Sequence, residues 1–101
     1  RGVHPDEVYS LAKKISVFSN ISFAGLMTIP AQSHDEYIAS GCFRNLRQIS
    51  EQISPSLGVG KSLHLSMGMS NDYLSAIKEG STWVRIGTMI FGPRDKIYRD
   101  Y

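Results

Sequence analysis

Two short segments of this 101-residue chain hold its densest chemistry. The first is Leu65-Ser66-Met67-Gly68-Met69-Ser70-Asn71-Asp72, which reads as the end of a strand turning into a helix. Hydroxyls and a glycine in such a turn expose backbone N–H groups and a positive helix end, which attract an anion, typically a phosphate. The plainer alternative is an ordinary βα turn with Ser70 as helix cap, because small polar residues favour turns anyway. The second segment is Val84-Arg85-Ile86-Gly87-Thr88, again where a strand ends. Arg85 stands between two apolar residues. With Val84 and Ile86 facing helices, its guanidinium points to the other side of the sheet or into a barrel interior, where it needs an acceptor. That acceptor is either a ligand atom or a carboxylate such as Asp72. Gly87 and Thr88 add donors for an anion. Phosphate sites in barrels are often built from the loops after the last two strands, so two such turns after consecutive strands say more than either alone.

The elements that hold these turns follow from hydrophobic spacing. Val8, Leu11, Ala12, Ile15 and Phe18 predict a helix from Pro5 to about Phe18, with Pro5 at its first position and Asp6 and Glu7 in its first turn. Ile21 to Ile29 is a near-continuous apolar run stopped by Pro30, the pattern of a strand buried on both faces of a parallel sheet. Ser33-His34-Asp35-Glu36 has capping-box spacing and predicts a second helix striped by Ile38, Cys42, Leu46, Ile49 and Ile53. A loop from Ser54 to Gly60 precedes a strand at Ser62–Ser66. Ser70 or Asn71 then caps a short helix with Leu74 and Ile77 inward, ended by Gly80. Ser81–Gly87 is the third strand, and a tail runs from Thr88 to Tyr101. The order α-β-α-β-α-β implies parallel βα units. Three such strands form either a small layered domain or consecutive units of a barrel, which needs about 250 residues in full. Periodicity does not choose between them.

Composition narrows the function. With 42% hydrophobic and 20% charged residues the chain is globular rather than disordered. A net charge of +2, from 11 basic and 9 acidic residues, gives no field for nucleic acid. No apolar run approaches the ~20 residues of a membrane span. A single cysteine, Cys42, excludes an internal disulfide, and it reads as helix packing. His4, His34 and His64 lack metal-ligand spacing. Gly60-Lys61-Ser62 imitates the end of a phosphate-binding P-loop, but Pro55 stands where its first glycine belongs, and a helix precedes it where a strand should. The chain lacks an initiator Met and a signal peptide, which fits a piece of something longer.

Gly25-Leu26-Met27-Thr28-Ile29-Pro30, Leu65-Ser66-Met67-Gly68-Met69-Ser70 and Val84-Arg85-Ile86-Gly87-Thr88, followed by Ile90-Phe91-Gly92, together resemble the pyridoxal-phosphate homeostasis proteins (the YggS/PROSC family). The resemblance runs from Gly2 to about Arg94. It implies an α/β fold, the last three βα units of a (β/α)8 TIM barrel of the alanine-racemase type, so that residues 1–101 form a single partial domain. It also implies pyridoxal 5'-phosphate as cofactor, with Ser66, Gly87 and Thr88 cradling the phosphate and Arg85 facing the pyridine nitrogen. Arginine only donates and stays protonated, so a ring nitrogen facing it is an acceptor without a proton. Such a ring is a poor electron sink, whereas enzymes that exploit the sink pair this nitrogen with a carboxylate. The resemblance accordingly implies a non-enzymatic carrier in intracellular cofactor homeostasis, cytoplasmic or alternatively mitochondrial, with neither nucleic acid nor membrane as partner. The family's covalent lysine lies near the first strand of the barrel, and Lys13, Lys14, Lys61, Lys78 and Lys96 stand in no matching context. Self-association or a missing amino-terminal half is then expected to complete the barrel. The alternative is a barrel enzyme gripping a phosphorylated substrate through the same two turns, although no acid–base pair stands at a strand end. A third reading is a structural module whose anion site is idle.

Overall fold

The computed structural model describes residues 2–31, 35–57 and 63–92. A 3-10 turn at Pro5–Glu7 starts the ordered chain, with the His4 imidazole Nδ1 accepting from the Asp6 N–H at 3.2 Å. Helix α1 spans Val8–Ser16 and ends before Phe18, which is exposed. Strand β1 is Gly25–Met27, shorter than the apolar run predicts. Ile21 and Ile29 lie beyond the ends of this strand and are exposed.

Helix α2 spans Glu36–Ile53. Asp35 is its N-cap, accepting from the Tyr37 N–H at 2.9 Å; Ser33, expected as the cap, lies outside the described residues. Its buried stripe is Ala39, Phe43, Leu46, Ser50 and Ile53. Ile38 is exposed and Cys42 half-buried, with its sulfur 3.5 Å from the Thr28 hydroxyl. A 3-10 turn at Pro55–Leu57 follows. The lookalike P-loop residues Gly60 to Ser62 lie outside the described residues.

Strand β2 is His64–Met69, helix α3 Tyr73–Lys78, strand β3 Trp83–Arg85, and helix α4 Thr88–Phe91. The sheet order is β1-β2-β3, parallel throughout, with Gly25, Leu26 and Met27 opposite His64, Leu65 and Ser66. Ser66 faces Trp83 and Met69 faces Arg85, so β2 carries one extra residue in a bulge. Gly68 forms that bulge with φ of +104°, where a Cβ would collide with Ala76 and the Tyr73 backbone. The expectation for α3 is overturned here. Leu74 and Ile77 are 61% and 52% exposed, while Ser75 and Ala76 lie against the sheet, because the close approach at Gly68 leaves room only for small side chains.

Helices cover one face of the sheet. Phe43, Leu65, Met67 and Ala76 form one buried cluster; Ala12, Ile53 and Leu63 form a second, and Leu26 packs against both. Among the described residues the opposite face is open, as the inner face of a barrel wall would be in a part of a barrel.

An ion cluster ties α2 to the end of α3. Arg44 donates to Glu79 from Nη2 at 2.9 Å and from Nε at 3.4 Å, and Arg47 Nη2 lies 3.5 Å from Glu79. Hydrogen bonding from Arg44 holds the Glu79 carboxyl below the usual carboxylate range, against partial desolvation. A carboxyl lowered on folding stabilises the fold above its ordinary pKa and loses that contribution as pH falls through the lowered value. Glu79→Gln is therefore expected to melt below wild type at neutral pH and to converge with it below the carboxylate range. Thermal unfolding of both across that range is the check, and a pH-independent gap would contradict the assignment.

Candidate functional site on the open sheet face

Side chains alternate along a strand, so the residues turned from the helices share the open face: Gly25 and Met27 on β1, His64 and Ser66 on β2, Trp83 and Arg85 on β3. A shallow cavity of about 230 Å³ lies there, lined by Gly25, Met27, His64, Ser66 and Trp83 among others. Gly25 permits it, since a Cβ at that position would run into the His64 carbonyl. The His64 and Trp83 rings meet edge to face at 5.9 Å between centroids. None of the six is a carboxylate.

Arg85 is held here by backbone. Its Nη2 donates to the Thr28 carbonyl at 3.0 Å and to the Ser66 carbonyl at 3.4 Å. Its Nε is buried and has no hydrogen-bond partner, a state that costs about 1–3 kcal/mol unless an acceptor arrives. Asp72 is not that partner: its carboxylate instead accepts from the Met69 N–H at 2.7 Å. Carbonyl anchors fix the guanidinium without neutralising it.

The two turns also differ from expectation in detail. Strand β2 continues past Ser66 to Met69, so Ser66 lies within the strand, half-buried, rather than at its end. Ser70 does not cap α3; Asp72 occupies that position. The Ser70 hydroxyl instead accepts from the Met89 N–H of α4 at 3.3 Å, joining one turn to the other. Gly87 is the N-cap of α4, and among the described residues neither the Gly87 nor the Thr88 N–H finds an acceptor. Helix α4 replaces the first residues of the expected tail; Pro93 to Tyr101 lie outside the described residues. Ser66 and Arg85 thus meet directly through the Ser66 carbonyl, while Gly87 and Thr88 come in through the Ser70–Met89 link and touch neither. Sequence reasoning missed the Thr28 carbonyl and the Ser70 link. The first carries no side-chain signal, and the second is hidden because a serine before a helix looks like that helix's own cap.

With this geometry in view, residues 1–95 match the alanine racemase N-terminal domain family. The chain belongs to that family. Its three parallel βα units are consecutive units of the family's (β/α)8 barrel, and the open face is the barrel's inner wall. Among individual relatives, the pyridoxal phosphate homeostasis protein of Pasteurella multocida is 43% identical over 94 residues, covering 93% of this chain and 40% of that protein. The Schizosaccharomyces pombe protein of the same name is 42% identical over 94 residues, covering 92% and 39%. In solved structures, PipY of Synechococcus elongatus PCC7942 with bound PLP superposes with a TM-score of 0.82 at 28% identity, over 90% of this chain and 43% of PipY. The crystal structure of a protein from Bifidobacterium adolescentis gives 0.82 at 42% identity, over 89% of this chain and 36% of that one. The chain therefore spans about two-fifths of the length of the relatives it matches.

Pyridoxal phosphate suits the residues present. The Arg85 guanidinium, which only donates, suits an acceptor such as a ring nitrogen without a proton. The Gly87 and Thr88 amides are donors free for a phosphate. The described lysines, Lys13, Lys14 and Lys78, all sit on helices and not on the inner wall.

Proposed function

We propose that this chain contributes the phosphate cradle and the ring-nitrogen partner of a non-enzymatic protein that binds pyridoxal 5'-phosphate and serves its homeostasis. The observation that carries the reading is Arg85, a donor-only side chain anchored on two backbone carbonyls, with no carboxylate among the described residues of the open face. The relatives' name and the PLP-bound PipY structure support it.

When bound, pyridoxal phosphate supplies an electrophilic carbon and a ring able to delocalise negative charge. Arg85 limits that second property. Its guanidinium, able only to donate, would face the ring nitrogen and favour that nitrogen without a proton, which would weaken the ring as an electron sink. Gly87 and Thr88 would hold the phosphate through backbone N–H groups, with the Thr88 and Ser66 hydroxyls as further donors. These residues bind and orient; none is placed to move a proton on a substrate.

The discriminating variant is Arg85→Leu in the full-length natural protein. Its affinity for pyridoxal phosphate is expected to fall about ten- to a hundredfold, consistent with loss of a charge-assisted hydrogen bond of roughly 1.5–3 kcal/mol, while inorganic phosphate binds as before. Equilibrium dialysis with both ligands tests this. Unchanged cofactor affinity would favour a phosphorylated substrate gripped by the same turns, and equal losses for both ligands would place Arg85 on the phosphate.

The 101-residue chain alone is expected to self-associate. Both β1 and β3 are sheet edges, and Met27 and Trp83 are 60% and 62% exposed on the open wall; unpaired edges and apolar patches promote association. Light scattering over a concentration series measures it. A monomer that persists at high concentration would contradict the expectation.

A further inference from the structure

The hydroxyls of Ser81 and Thr82 belong to neither turn, yet they make the densest polar contacts in the sheet. Thr82 pairs with both backbone groups of Leu65: its N–H donates to the Leu65 carbonyl at 3.0 Å and its Oγ1 accepts from the Leu65 N–H at 2.8 Å. A side-chain oxygen here takes the place of a ladder carbonyl. The Ser81 hydroxyl lies 2.6 Å from the Met67 carbonyl, 3.0 Å from that of Trp83 and 3.3 Å from that of Leu65. With one proton to give, it donates chiefly to Met67. The Ser81 N–H in turn donates to the Ala76 carbonyl at 3.0 Å, which fixes this residue to α3.

These contacts bear on the register of β3. The strand has three residues and pairs with β2 across a bulge. A one-residue slip in a strand turns every side chain to the other face. For β3 that would carry Arg85 off the inner wall and break its bonds to Thr28 and Ser66. The bulge would otherwise make such a slip easy, since β2 already presents an extra residue there. Ser81 and Thr82 grip β2 at Met67 and Leu65, on either side of Ser66.

We propose that Ser81 and Thr82 are positioning residues, whose hydroxyls clamp the β2–β3 register and thereby hold Arg85 in place beside Ser66, with Gly87 and Thr88 following it in the chain. The proposal rests on the pyridoxal-phosphate reading above. Thr82→Val keeps the shape and removes the oxygen, Thr82→Ser keeps the oxygen, and Ser81→Ala removes the second hydroxyl. In the full-length natural protein, Thr82→Val and Ser81→Ala are each expected to weaken pyridoxal-phosphate binding about five- to tenfold, the value of one hydrogen bond. Both are also expected to shift the absorption band and the phosphorus-31 resonance of the bound cofactor. Thr82→Ser restores the wild-type values. A merely structural role would lower the melting temperature and leave affinity, band and resonance unchanged in the folded protein, and that result overturns the proposal. Ser81→Ala decides the matter by the same readouts if Thr82→Val does not fold. Wild-type protein that takes up no pyridoxal phosphate would instead defeat the functional reading itself, and this proposal with it.

Discussion

Replacing Gly68 with alanine is expected to destabilise the fold by about 2–5 kcal/mol, the sum of roughly 1–2 kcal/mol for a left-handed backbone and 1–3 kcal/mol for overpacking. The backbone at Gly68 has φ of +104°, and an added Cβ would press on the Ala76 methyl, the Tyr73 backbone and Val84. The Ala76 methyl has no rotamer by which to swing away, and the Tyr73 contact is main chain. Relief requires α3 to lift from the sheet or the bulge to straighten. Straightening would put Gly68 rather than Met69 opposite Arg85 and so misplace the guanidinium. The variant is thus expected to lose cofactor binding along with stability. Denaturant unfolding and cofactor titration of the full-length protein measure the two effects, and wild-type values in both would refute the role given to the bulge.

The second large effect falls on the cradle. Ser66→Ala combined with Thr88→Val removes both hydroxyls assigned to the phosphate. A hydrogen bond to a charged group contributes about 1.5–3 kcal/mol, and 1.4 kcal/mol is tenfold in affinity. Losing two, with partial compensation by water, is expected to weaken pyridoxal-phosphate binding roughly a hundredfold. The fold is expected to change little, because Ser66 is half-buried and Thr88 exposed, and neither hydroxyl bonds to another described residue. Isothermal titration reads the affinity and circular dichroism the fold. A double variant that binds as tightly as wild type would place the phosphate elsewhere.

Much of this arrangement is legible in the residues, and the exceptions have physical causes. Apolar runs and turn residues mark the alternating helices and strands, and the position of Arg85 between Val84 and Ile86 reveals that it faces away from the helices. The phase of α2 is harder to read. Ile38 and Cys42 keep helical spacing with Leu46 and Ile53, but Ala39, Phe43 and Ser50 keep it too. The true face contains a small residue and a polar one, which disguise it. Leu74 and Ile77 mislead for the opposite reason. Their size suggests burial, yet Gly68 brings α3 so close to β2 that only Ser75 and Ala76 fit between. The acceptors of Arg85 could not be foreseen at all, because they are backbone carbonyls and every residue has one. A carboxylate such as Asp72 is the natural guess from residue types, and the Met69 N–H holds Asp72 elsewhere. For the proposed site, residue type suggests the donors; the bulge and the Ser70–Met89 link decide where they stand.

The anion cradle is the central claim, and a phosphate titration of the nitrogen-15-labelled full-length protein tests it most directly. Inorganic phosphate needs neither the ring partner nor a covalent anchor, so it probes the cradle alone. Helix-end attraction of about 0.3–1 kcal/mol and charge-assisted hydrogen bonds of roughly 1.5–3 kcal/mol each, less the cost of immobilisation, give an expected dissociation constant near ~1 mM. The account predicts saturable shifts at the Gly87 and Thr88 amides and around Ser66, unaltered by Arg85→Leu. Shifts clustered instead at Gly60 and Lys61, or none near Gly87 and Thr88, would contradict it.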